Sequence, residues 1–165
     1  MKRIIAFSLF SAMLIIACSP RNVKEIGETS EAVGEKAVKQ AIVLKPVDGY
    51  FTTLRPNATT TLVLDKVAFE ENFKPAATMN NLPTIINFDT DRAIAIVLPE
   101  TRREVGIIID SSYMEANVLH ISYTIDKGKE ERSFSMIPCK VYSFDANLGI
   151  NAVNFNNGES FVEIK

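Results

Sequence analysis

The chain has 165 residues, 47% hydrophobic and 23% charged, with seven Gly, seven Pro, two Cys and no Trp, and a formal charge of −2. That composition excludes a disordered chain, a collagen and a disulfide-stapled miniprotein, and the length suits one domain better than two.

The N-terminus reads as an address. Lys2 and Arg3 precede an apolar run from Ile4 to Ile16 that only Ser8 and Ser11 interrupt. Such a run is short for a membrane span, which needs about 20 residues, and matches the apolar segment of a signal peptide. Ile15-Ile16-Ala17-Cys18 then resembles a bacterial lipobox, in which the cysteine thiol receives diacylglycerol and becomes the new N-terminus. The expected organisation is a lipoprotein signal peptide over residues 1–17, a lipidated Cys18 with a tether over 18–45, and a β-rich domain over 46–165. Cleavage before Cys18 leaves 148 residues, in which 16 basic face 20 acidic side chains, a charge of −4. A mildly acidic body does not suit nucleic acid. No polybasic stretch follows Cys18, so the membrane contact falls to the lipid. Ser19-Pro20-Arg21-Asn22-Val23 also lacks the acidic cluster of surface-exported lipoproteins, which places the expected site at the outer membrane, facing the periplasm. With Cys18 acylated, Cys139 is the one remaining thiol, and it reads as a buried, inert group between Ile137 and Val141.

Residues 30–41 carry Ala32, Val33, Ala37, Val38 and Ala41 at helical spacing, a weak short helix within the tether. Strands are predicted over 50–53 and 59–64, joined by the turn Arg55-Pro56-Asn57-Ala58. A helix is predicted over 65–73, capped by Asp65, with Phe69 and Phe73 on one face and Pro75 ending it. Residues 92–98 form an apolar run that suits a strand buried on both faces. After it come a turn at Pro99–Arg103, a strand over 104–109 and an alternating strand over 117–125. Asp126-Lys127-Gly128-Lys129 reads as a hairpin turn into a strand over 132–137, followed by strands over 140–144, 150–155 and 160–164. Asn156-Asn157-Gly158 is the sharpest turn signal. The predicted class is mainly β, an antiparallel sandwich or partly open barrel with one short helix.

The chemistry is sparse. His120 is the sole histidine and reads as a sheet residue held by its neighbours. No paired Cys or second His offers a zinc site, Asp89-Thr90-Asp91 lacks the rest of a calcium loop, and no phosphate-binding glycine loop is present. Neither a cofactor nor a metal is expected. Thr101, Arg102, Arg103 and Gly106 form the candidate partner-binding element, as exposed arginines at a tight strand connection.

Several segments follow one another in an order that resembles a known family. They are Val67-Ala68-Phe69-Glu70-Glu71-Asn72-Phe73, Leu82-Pro83, Asn87-Phe88-Asp89, and the strands over 92–98, 104–109 and 118–125. Together they span about residues 60–143 and resemble the C-terminal domain of the PrcB family, bacterial and often lipid-anchored proteins named for association with a surface protease complex. The chain departs from the family at its Thr-Gly-Gly-Tyr turn, where it has Thr101-Arg102-Arg103-Glu104-Val105-Gly106. The resemblance implies a β-rich fold, an envelope location and a protein partner such as a protease.

The expected function is therefore a non-enzymatic, lipid-anchored interaction protein of the cell envelope, acting as partner, stabiliser or inhibitor. Two alternatives stand beside it. One is a small-ligand or glycan-binding sandwich, which needs an exposed platform from Tyr50, Tyr113, Tyr123 or Tyr142. The other is a hydrolase built on His120.

Overall fold

The computed structural model describes residues 38–76 and 82–164. The expected signal peptide, Cys18 and most of the expected tether lie outside those residues.

Among the described residues, eleven strands build two main sheets and a small one. The first sheet holds β1 (Gln40–Ala41), β7 (Thr101–Glu115), β8 (Val118–Met136), β10 (Ala152–Phe155) and β11 (Ser160–Glu163), in the order β1-β7-β8-β10-β11. Its pairings are antiparallel except for β8 with β10. The second is fully antiparallel, in the order β2-β9-β6-β4, from β2 (Lys45–Val47), β4 (Thr60–Leu64), β6 (Asp91–Val97) and β9 (Cys139–Asp145). The small sheet pairs β3 (Tyr50–Thr52) with β5 (Phe73–Pro75). The fold is mainly β and sandwich-like, with one α-helix and no closed barrel among the described residues.

β6 sits at the centre of two cores. Its residues 93–97 are fully buried, and alternation sends them to opposite sides. Ile94 and Ile96 meet Leu119, Ile121, Val153 and Phe155 of the first sheet. Ala93, Ala95 and Val97 meet Val47, Leu64, Val141, Phe69 and Phe73. Ala93 and Ala95 are small, which leaves room for the bulky rings on that side. There the helix α1 (Lys66–Asn72) places Phe69 against Phe73, Phe88 and Tyr50, at ring separations of 5.2, 5.5 and 5.0 Å. The Asp65 side chain caps α1 by accepting from the Ala68 amide at 2.9 Å. The helix ends at Asn72 because Phe73 turns to the extended backbone of β5, two residues ahead of Pro75.

Several local expectations are corrected. Residues 40–45 belong to the folded domain and not to the tether: β1 pairs with β7, Lys45 begins β2, and Ile42 enters the core at 8% exposure. The described end of the expected 30–41 helix is thus a strand. Thr84 is tied to the loop at Asp48 and Tyr50. Asp126–Lys129 is not a turn, and residues 132–137 are not a separate strand, because β8 runs unbroken from Val118 to Met136. Gly128 has no left-handed backbone. It lies so close to Glu104 that a Cβ would sit 3.1 Å from that residue's carbonyl oxygen and Cβ, so the glycine serves interstrand approach. The real reversal is Ala116-Asn117, with φ of 49° and 63°, a two-residue hairpin turn of the primed kind. The Asn156–Gly158 reversal lies where expected, between antiparallel β10 and β11.

Candidate functional site: the β7–β8 ribbon

β7 and β8 are the longest strands, and their neighbours cover only one end of them. β1 pairs with β7 at Tyr113 and Met114, and the Ile42 amide reaches the Ser112 carbonyl. β10 pairs with β8 over Val118–Ile121, after which the Asn156 side chain caps the Tyr123 amide at 2.8 Å. Beyond these points the hairpin continues as a two-stranded ribbon. The edge of β7 facing away from β8 has no strand beside it from Thr101 to Ser111 among the described residues.

The four sequence-selected residues lie in this ribbon, in one strand and not in a turn as expected. Pairing with Met136 draws Thr101 into β7, and its hydroxyl accepts from the Arg103 amide at 3.0 Å. Arg103 faces Glu131 at 3.5 Å, while Arg132 bridges to Glu104 at 3.1 Å. Arg102 is exposed and makes no ion pair among the described residues. Gly106 is exposed opposite Asp126, with room for a side chain, since a Cβ would lie 3.8 Å from its nearest neighbour. Strand alternation separates the four: Thr101 and Arg103 share the inward side with Val105, Ile107 and Ile109, and Arg102 and Gly106 share the outward side with Ile108 and Asp110.

The inward side opens into a cleft of about 480 Å³ between the ribbon and the start of β4. Leu98, Pro99, Val105 and Ile125 give it apolar walls, and Arg103 and Lys127 stand among them. An adjoining hollow of about 470 Å³ shares Ala58, Thr59 and Ile125 and ends at Tyr123, Asn156 and Glu159. This groove was not legible locally, because its walls come from segments far apart in the chain. One signal did exist: Lys127 and Arg103 occupy core-facing positions in their strands, which marks where the sandwich stops closing.

The edge itself alternates between regular and irregular stretches. Val105–Ile109 pairs with Lys127–Tyr123 residue for residue. Below Val105 the register shifts place the extra residues in β8 and none in β7; above Ile109 the extra residue is Asp110, a bulge in β7. Charges and bulges discourage strand addition, and neither occurs within Val105-Gly106-Ile107-Ile108-Ile109.

Other chemistry-bearing residues stand apart. His120 stacks on its cross-strand neighbour Tyr113 with ring centroids 4.8 Å apart and planes 5° apart, and Lys39 Nζ lies 4.6 Å from the Tyr113 centroid. Burial pushes the Cys139 thiol above its ordinary range, against a backbone hydrogen bond at Thr52 and the Lys140 charge, so it is a poor nucleophile. Among the described residues no three His, Cys, Asp or Glu side chains gather as metal ligands, and no helix is long and apolar enough to cross a membrane.

Fold and site together define a sandwich-like β domain that presents a long two-stranded ribbon with one open edge. Neither family models, curated proteins nor solved structures offer a match to the chain.

Proposed function

We propose that this protein is a lipid-anchored interaction module of the bacterial cell envelope, which binds a protein partner along the β7–β8 ribbon and carries out no catalysis. The observation that carries the binding half is the open β7 edge over Val105–Ile109. An exposed, regular edge of β-branched residues presents unpaired N–H and C=O groups, and an extended segment of another protein satisfies them as an added strand. Arg102 at one end of that stretch and the groove beneath supply side-chain selectivity. The anchoring half rests on Ile15-Ile16-Ala17-Cys18. The resemblance to the PrcB C-terminal domain favours an envelope protease as partner, although the residues that replace the family's turn argue for a different contact surface.

The test uses Ile108→Glu, which puts a charge in the middle of the edge at a side chain already 52% exposed. The full-length chain, cross-linked in intact cells and then purified, is expected to retain a stoichiometric partner chain that the folded Ile108→Glu variant loses. Equal recovery by both chains would show that the edge is not the contact.

A second reading, an apolar small molecule held in the groove, is supported by the volume and apolar walls of the cleft, which fall within the range of ligand sites. A glycan platform is less well supported. Tyr113 is stacked on His120, and Tyr50 sits in the Phe69 cluster with its hydroxyl donating to the Thr84 carbonyl.

A further inference from the structure

We propose that the strand added to the β7 edge comes from a second copy of this chain, paired antiparallel about a two-fold axis that passes through Gly106. The inference rests on reading β7 as a docking edge and goes further by naming the occupant and its register.

The register follows from face and charge. An antiparallel partner must keep its outward side chains on the outward face, because a one-residue slip would turn its apolar face to water. Only alternate registers satisfy that condition. With Gly106 opposite Gly106, Arg102 lies opposite Asp110 of the second copy, and symmetry repeats the pair at the other end. On the inward face Val105 lies opposite Ile107, again twice. Arg103 lies opposite Ile109, where its methylene stem covers apolar surface. Moving the second copy so that the axis falls at Ile107 puts Glu104 opposite Asp110, a like-charge pair. Moving the axis to Val105 leaves Arg102 opposite Ile108, with no charge partner. One register therefore pairs both charges, and it is the one that places the residue without a side chain at the axis.

The residues involved are available for this role. Arg102 makes no ion pair among the described residues, and Asp110 accepts only the Thr124 hydroxyl, at 2.7 Å. β7 carries no extra residue from Thr101 to Ile109, since those of the lower bulges lie on β8. The pairing ends where β1 begins, since the Ile42 amide reaches Ser112. A contact made by one strand pair is small, and two chains confined to one membrane leaflet raise their effective concentration enough to favour it.

Directly opposed residues in an antiparallel pair have Cα atoms about 4.5 to 5.5 Å apart, within disulfide reach. In the full-length chain in its own membrane, Gly106→Cys is expected to form a disulfide-linked dimer on mild oxidation. Ile108→Cys, which faces Glu104 of the second copy, is expected to stay at the background set by the parent chain. Adding Arg102→Asp to Gly106→Cys places Asp opposite Asp110 at both ends and is expected to lower the cross-linked fraction roughly tenfold, as does Asp110→Arg by opposing Arg102. Chains with Arg102→Asp and chains with Asp110→Arg, each carrying Gly106→Cys and expressed together, restore opposite charges at both ends and are expected to recover the cross-link. Equal cross-linking at 106 and 108, or none at 106, overturns the proposal, as does a yield indifferent to the charge swap. Failure at 106 combined with a partner still lost on Ile108→Glu would mean that a different protein occupies the edge, so this inference falls while the docking function stands.

Discussion

Ile96 concentrates what single residues contribute to this fold. It is completely buried between the sheets, in a strand that is buried on its other face as well, so a polar replacement finds neither water nor a partner. Ile96→Asp would bury an unpaired carboxylate, a cost of more than about 4 kcal/mol that takes most of a typical domain's stability. Ile96→Val removes one methylene and is expected to cost about 1 kcal/mol. Thermal unfolding followed by circular dichroism separates the two, and an Ile96→Asp chain melting within a few degrees of the parent would contradict the two-sided burial. This residue was legible in the sequence because a short apolar run without alternation, rich in β-branched residues, is what a strand covered on both faces requires. The same holds for Asp65, whose capping role follows from its place ahead of an amphipathic segment. Arg102 and Arg103 were singled out correctly as exposed side chains, but the turn assigned to them does not exist. Pro99 marks the connection, and pairing of Thr101 with Met136 draws the arginines into the strand.

At the scale of elements, the β7–β8 hairpin shows how long-range pairing overrides local signals. Asp126-Lys127-Gly128-Lys129 has turn composition, yet a glycine also permits close strand approach, and nothing nearby in sequence reveals that Glu104 lies opposite. Conversely, Ala116-Asn117 forms the true reversal although alanine is unfavourable there, since its Cβ crowds the following carbonyl at positive φ. The structure of the hairpin therefore includes a local conflict that the pairing of Glu115 with Val118 and Met114 with Leu119 overcomes. Ala116→Gly removes that conflict and is expected to stabilise the domain by up to about 1 kcal/mol, allowing for the greater freedom of glycine in the unfolded chain. Chemical denaturation is the appropriate measurement, with an unchanged slope and a higher midpoint. A lower midpoint would mean that Ala116 is not left-handed in the protein. β1 and β2 were hidden in the sequence for a different reason: each has only two or three residues, within a Lys- and Glu-rich stretch whose composition resembles a tether.

For the whole molecule, the decisive geometry is the direction of the long hairpin. β1 lies beside the Ala116-Asn117 end, with Gln40 paired to Met114 and Lys39 bridging to Glu115 at 3.7 Å. The chain therefore joins the domain at that end. Thr101 lies fourteen residues along β7 from Glu115, about 45 Å at strand rise. The open edge and groove consequently lie toward the end of the hairpin remote from Lys39. An N-terminus held at the membrane, as proposed, would leave that remote end free, which makes lipidation of Cys18 the natural whole-molecule test. Cys18→Ser removes the proposed acceptor thiol, lies outside the described residues, and is expected to leave the thermal unfolding of the domain unchanged. Metabolic labelling with a radioactive fatty acid should mark the parent chain and not the variant. Fractionation should move the variant from the membrane pellet to the soluble fraction wherever the leader is still cleaved; where the uncleaved leader retains it, the label alone decides. The same variant links anchoring to association, because a chain released from the leaflet loses the local concentration that a single strand pair needs. The Gly106→Cys cross-link is accordingly expected to fall when combined with Cys18→Ser at equal expression in the released fraction. A fatty-acid label that persists without Cys18 would remove the anchor from this picture and with it the reason for the edge to face away.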